Sequence, residues 1–445
     1  MTMTTNFQKR RSPALRRLVA RIITITGVLL LLPGAVFCGE QPLTLQVAYE
    51  SALQNNENIQ MSRETVNQAE LNVDTATSNL YPQLTATGSH VREKELYPTH
   101  SPTEYELLTI EANQHIYQLG KVWTGREMAK NHLQGSRLSH ERSTRQILFQ
   151  VSAAYYNVLL GRRSVEIAES ALERANKQLE RASAQFEVGV LTRNTVLRAE
   201  VQVAQAVEQL ERARNQYLVA KENLALEMGI RQAPETIEEP ENRLFPAKSL
   251  EELIETAMQN RRDLKKSRID TKQADKKVDW EKADFFPKIF LHGEYQRTTE
   301  DDLFYDNDEN WSASLNLSYP LFTGGKNRAE LGEAKSAVRQ AKWSHRRMEN
   351  EIRNEVRRVY LDLQTQRKVL AQNRAQVKAA QRNYQQVTAQ FEEGLATAVD
   401  QVDAFTALNE AENRLANAHY THQLNLIKLK LATGTFHKDL ILPER

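Results

Sequence analysis

Sliding the 445-residue chain against itself by 205 residues aligns 44–229 with 249–434 without a gap. Identical pairs include Leu45/Leu250, Glu50/Glu255, Asn55/Asn260, Ser62/Ser267, Asp74/Asp279, Pro82/Pro287 and Gly88/Gly293. The register continues through Gly120-Lys121 with Gly325-Lys326, Ala184 to Gly189 with Ala389 to Gly394, and Gly229 with Gly434. One unit therefore occurs twice, and whatever it folds into must occur twice. Between the copies, 230–248 carries Pro234, Pro240 and Pro246, the composition of a linker, and 435–445 remains as a C-terminal tail.

Each copy is punctuated in the same way. A helical pattern of roughly 36 residues runs up to Pro82 or Pro287, which stops it because the residue before proline disfavours the α region. A β-hairpin follows, near 84–117 and 289–322. After Gly120 or Gly325 a helical pattern of roughly 65 residues, roughly 100 Å at 1.5 Å per residue, continues to Gly189 or Gly394. A last helix of roughly 36 residues closes the unit, so two shorter helices end to end match the long one beside them. Val165, Ala168, Leu172, Ala175, Leu179, Ala182 and Phe186, and again Val196 through Leu224, follow the alternating three-and-four spacing of a coiled coil. Few glycines (16) and prolines (12) suit this mainly α fold with a small β contribution.

Lys9, Arg10, Arg11, Arg16, Arg17 and Arg21 precede the first acidic residue, Glu40, and lead into the apolar run Ile22 to Leu32. This is the pattern of a signal peptide over 1–39. The run is far shorter than the roughly 20 residues of a spanning helix, and no later stretch approaches that length. Cys38, the sole cysteine, reads either as a lipid-attachment site or as part of the removed leader, and it excludes an intrachain disulfide. Net charge is +2, and without the basic leader the chain is mildly acidic, which argues against a nucleic-acid partner.

Trp311, Ala313, Leu315, Leu317 and Tyr319 alternate with Ser312, Ser314, Asn316 and Ser318, an apolar face against a polar one, as in a membrane barrel strand. Leu108 and Ile110 repeat the phase in the first copy. Strands from Leu84 and Ile289 pair with these across polar loops near 92–104 and 298–310, the second rich in acidic residues. Two hairpins supply four strands, and the smallest membrane barrels need about eight, so the chain must associate with copies of itself.

Several stretches resemble the TolC family of outer-membrane efflux proteins over about 44–440. They are the opening Leu45 to Asn56, Leu80-Tyr81-Pro82, Tyr319-Pro320-Leu321-Phe322 before Gly324-Gly325, Val399 to Ala404 and Asn413 to Ala418. The resemblance implies a homotrimer with one twelve-stranded barrel in the outer membrane and a helical tunnel in the periplasm. It implies the exit duct of an efflux or type I secretion system, with no cofactor. Its partners would be a periplasmic adaptor (membrane fusion protein) and an inner-membrane RND, ABC or MFS transporter, which chooses the substrate. The linker and tail would belong to an equatorial belt.

The turns at Gly189, Val190, Leu191, Thr192 and at Gly394, Leu395, Ala396, Thr397 lie one long helix away from the strands and are expected to form the adaptor-docking tip. Asp400 and Asp403 share a helix face, and three subunits would set six carboxylates around the tunnel, with mutual repulsion raising some pKa values. The resemblance implies that this pair forms the constriction ring. Thr397 to Asp400 also reads as a helix cap, which accounts for Asp400 but not Asp403. Ala396 and Thr195 stand where family members lock this gate with an arginine and an aspartate, so closure relies on other contacts or is looser.

Two rivals compete with a channel. For an enzyme, His419 and His422 sit three apart without a third ligand, as expected of a solvated helix face rather than a metal site. Gly324-Gly325-Lys326 lacks the rest of a phosphate loop, and no nucleophile, base and orienter form a set. A periplasmic coiled-coil adaptor without a barrel is the other rival; the two amphipathic hairpins and the duplication count against it.

Overall fold

The computed structural model describes the backbone of residues 42–93, 103–235, 237–240, 249–298 and 309–436. The leader at 1–39, most of the tail, the two hairpin loops and much of the linker lie outside the described residues. The first copy comprises α1 (Leu45–Asn55), α2 (Glu57–Ser78), β1 (Gln83–Glu93), β2 (Thr103–Tyr117), α3 (Lys121–Glu187) and α4 (Arg193–Met228). The second comprises α5 (Leu250–Asn260), α6 (Arg262–Lys282), β3 (Lys288–Thr298), β4 (Glu309–Ser318), α7 (Lys326–Glu392) and α8 (Ala398–Ala432). Both long helices, α3 and α7, have 67 residues, which is roughly 100 Å of rise.

The sequence pattern predicts one opening helix per copy, and the structure shows two. Asn56 and Arg261, at matching positions, are both extended (ψ 122° and 127°) and break the helix there. Asn56 accepts from the backbone N–H groups of Asn58 and Ile59, capping α2, and its amide donates to the Glu227 carbonyl at the end of α4. Arg261 donates to the Ala432 carbonyl at the end of α8, the matching carbonyl of the second copy. Different side chains thus do the same job: each satisfies an orphan carbonyl at a helix C-terminus.

Most of the heptad positions point inward as the pattern requires, whereas Phe186, the last of the α3 series, is exposed beside the turn at Gly189. Ala168, Ala175, Ala182, Val196, Ala199, Ala206, Leu210, Ala213 and Leu224 are buried between α3, α4 and neighbouring helices. Where α1 and α4 meet α3, Ala48, Ala52, Leu148, Val151, Tyr155, Leu159, Leu224 and Met228 form the largest apolar cluster. Its counterpart around α7 uses Leu253, Ala257, Ile352, Val356, Val359, Leu363 and Leu429. Tyr155 places its hydroxyl 2.8 Å from the Leu43 carbonyl and 2.5 Å from that of Glu238, while Arg162 donates to Ile237 at 2.7 Å. With the Leu43–Ile237 bridge, these bonds hold the described part of the linker against α3.

The four strands form one antiparallel sheet in the order β1-β2-β3-β4. Gln83 pairs with Asn113 in the first hairpin and Lys288 with Ser318 in the second, and shifting the first pair by 205 residues produces the second. The hairpins are the same object, built twice.

Candidate membrane sheet and tunnel-tip site

Residues paired across an antiparallel ladder share a face, so the register sorts the whole sheet. One face carries the rows Leu84, Ala112, Gly293, Ala313 and Ala86, Ile110, Tyr295, Trp311, with Leu291 beside Leu315 and Ile289 beside Leu317. The opposite face carries Thr85, Glu111, Glu294, Ser312 and Gln83, Asn113, His292, Ser314, where His292 Nδ1 meets Asn113 Oδ1 at 2.8 Å. The apolar face is bare: Trp311 is 78% exposed and Leu315 70%. From Leu317 to Trp311 it runs about 20 Å along the strand, a large part of the apolar band of a membrane barrel. Leu108 and Ile110 lie on this face, as do Trp311, Ala313, Leu315 and Leu317. Tyr319 does not belong to the strand. β4 ends at Ser318, since Pro320 cannot donate to a ladder, and Tyr319 is the first residue beyond it.

At the far ends of α3 and α7, Gly189 and Gly394 take left-handed backbone (φ 79° and 73°) and end each helix with matching bonds. Val190 N–H donates to the Gln185 carbonyl and Leu395 N–H to the Gln390 carbonyl, both at 2.8 Å. Val190 and Leu395 are exposed, at 69% and 76%. Thr192 and Thr397 begin the returning helices, and only Thr397 forms a full capping box. Asp400 Oδ2 accepts from the Thr397 N–H at 2.8 Å and from its hydroxyl at 2.6 Å. These bonds, the hydroxyl's first, hold the Asp400 carboxyl below the usual range. Within the chain this lowering follows from the place of Asp400 as the third residue of the α8 capping box, bonded back to Thr397. Asp403, one turn on, is exposed and takes no part in the cap.

The family model described as outer membrane efflux protein matches the chain twice, over residues 48–229 and 253–435, one match per copy. The chain belongs to the outer membrane efflux protein family. It is similar to outer membrane protein TolC of Vibrio cholerae, at 24% identity over 83% of this chain and 86% of that protein. It is also similar to outer membrane efflux protein BepC of Brucella suis, at 23% identity over 93% and 91%. Among solved structures, that of CusC superposes with a TM-score of 0.78 at 18% identity, covering 88% of this chain and 92% of that one. This efflux protein accordingly resides in the outer membrane and is an exit channel. Among the described residues no helix is long and apolar enough to cross a membrane.

The histidines of this efflux protein differ from their sequence-based reading. His419 and His422 are half-buried rather than solvated: His419 Nε2 is 3.6 Å from a Glu239 oxygen, and buried His422 Nδ1 has no partner. A second pair of histidines, which belongs to no recognisable sequence motif, is better placed. His140 Nδ1 meets Ser62 Oγ at 2.7 Å, and the matching His345 meets Ser267 at 3.0 Å. Ser62 gives its own proton to the Ile59 carbonyl, so it accepts from His140, the reverse of a base activating a hydroxyl. The pair fastens α2 to α3 and α6 to α7. The 205-residue repeat of both residues was its available signal.

At the junction of helices and sheet, Lys121 reaches Asp284 at 2.5 Å and Lys288 reaches it at 3.0 Å, joining the two copies. Burial works to raise the Asp284 carboxyl, and the two lysines outweigh it and hold it low.

Proposed function

We propose that three copies of this efflux protein close a single twelve-stranded barrel and act as the outer-membrane duct of a tripartite export assembly. The observation that carries this reading is the sheet, apolar on one face, polar on the other, with the outer edges of β1 and β4 unpaired among the described strands. In lipid such edges must be paired, and barrels are the closed solution. Helices of 67 residues then carry the lumen roughly 100 Å from the membrane. Their exposed apolar turns at Val190 and Leu395 suit a periplasmic adaptor that connects to an inner-membrane pump. Asp403, aided by Asp400, lines the constriction near that tip. No catalytic role is assigned: the Ser62–His140 pair is oriented to fasten helices, and the family's role is conduction. Native mass spectrometry and planar-bilayer recording of the purified protein test the reading. A trimer that forms discrete conducting channels is expected. A soluble, non-conducting protein would overturn it and favour an adaptor.

A further inference from the structure

The contacts between the two copies inside one chain imply the contacts between one chain and the next. We propose that Arg346 on α7 pairs with Glu57, at the start of α2, of the neighbouring copy of this chain. The proposal rests on the trimeric reading above. Within the chain, α3 of the first copy packs along α6 of the second. The sheet registers show that a shift of 205 residues relates the copies. A ring of six units closes when the same step leads from the second copy to the first copy of the next chain, which sets α7 against that chain's α2.

Applied to the salt bridge between Glu141 on α3 and Arg262 on α6, the step lands on Arg346 and on Glu57 of the neighbour. The charges have changed places and remain complementary. In the single chain both residues are exposed, and neither has an ionic partner among the described residues; Arg346 lies 5.6 Å over the ring of Trp343, itself 65% exposed.

Two further contacts translate into sensible pairs. The Glu127–Lys276 ion pair becomes Gly332 facing Leu71 of the neighbour. Gly332 has open space where a side chain would stand, and Leu71 is 64% exposed, so a large apolar side chain meets a matching gap. The bond from Arg145 to the Gly434 carbonyl becomes Asn350 facing the Gly229 carbonyl of the neighbour. Asn350 uses its oxygen to accept from Arg353, which leaves its N–H groups to donate.

Charge exchange tests the pair. Arg346→Glu and Glu57→Arg should each lower the temperature at which detergent-solubilised trimer dissociates, and the double variant should recover most of that loss. Glu57→Cys with Arg346→Cys, treated with a short bis-maleimide, should yield chains cross-linked to one another. Each single cysteine variant should not, and Glu141→Cys with Arg262→Cys should cross-link only within a chain. A wild-type protein that is not trimeric would remove the underlying reading. A normal trimer in which the reversals are merely additive and the cysteines give no interchain product would overturn this pairing alone.

Discussion

Gly229 lies against the backbone of Asn55, so close that a Cβ on the glycine would stand 2.6 Å from the Asn55 carbonyl carbon and oxygen. The second copy repeats the contact, with Gly434 against Asn260 at 3.0 Å. Both glycines also hold left-handed backbone (φ 69° and 70°). The end of each closing helix is thereby seated in the break between the two opening helices, where Asn56 and Arg261 cap it. Gly229→Ala should cost about 2–3 kcal/mol, from a side chain in a left-handed position and a collision with backbone. Gly189→Ala, equally left-handed but in open space, should cost only about 1 kcal/mol. Thermal or denaturant unfolding of the two variants compares them, and equal losses would show that the Asn55 contact carries no weight.

Half-buried imidazoles make stability depend on pH. Burial, then the nearby Arg63, holds His140 below the ordinary imidazole value, and burial, then Arg367, does the same for His422. Because the folded values lie below the unfolded value near 6.5, the unfolded chain binds more protons as pH falls. The stabilisation is complete above about pH 7 and is lost as pH drops through 6.5 towards the folded values. Melting temperatures measured between pH 8 and pH 5 should fall over the acidic half of that range, and His140→Gln should flatten the slope. A wild-type profile that stays level from pH 8 to pH 5 would contradict it.

Removing either hairpin, 84–117 or 289–322, should abolish outer-membrane insertion, since half the strands of each subunit would be gone and new edges would face lipid. Membrane fractionation reads the outcome. A stable trimer recovered from the outer membrane after such a deletion would sink the barrel.

Asp400 and Asp403 should separate by phenotype. Asp400→Ala removes the carboxylate half of the α8 capping box while the Thr397 hydroxyl still accepts from the N–H of residue 400, so it should loosen that turn slightly without changing conductance. Asp403→Ala leaves the cap intact and should reduce cation preference and block by multivalent cations in single-channel recordings. An unchanged reversal potential in Asp403→Ala would exclude it from the constriction.

Charges placed at the tip should uncouple export from assembly. Val190→Glu and Leu395→Glu put a carboxylate on exposed apolar turns without touching the core, so trimer yield should be normal while export falls at least several-fold. Full export by both variants would move the adaptor site elsewhere.

The sequence by itself determined the repeat, the spans of the long helices, the buried heptad face and the apolar face of β4, because each is a local or periodic property of neighbouring residues. Only the tertiary structure decided the helix breaks at Asn56 and Arg261. Asn56 answers to a carbonyl 171 residues away, and no window of sequence contains both partners. The same separation hid the Ser62–His140 bond, 78 residues apart, although its duplication was on view. It also explains His419 and His422, whose helical spacing suggested a solvated face but which other elements of the fold half cover. Asp400 was legible as a cap from its spacing to Thr397, whereas the downward direction of its shift needed the two bonds in place. Periodicity records which face of an element is apolar; which distant group that face meets is fixed only when the chain closes on itself.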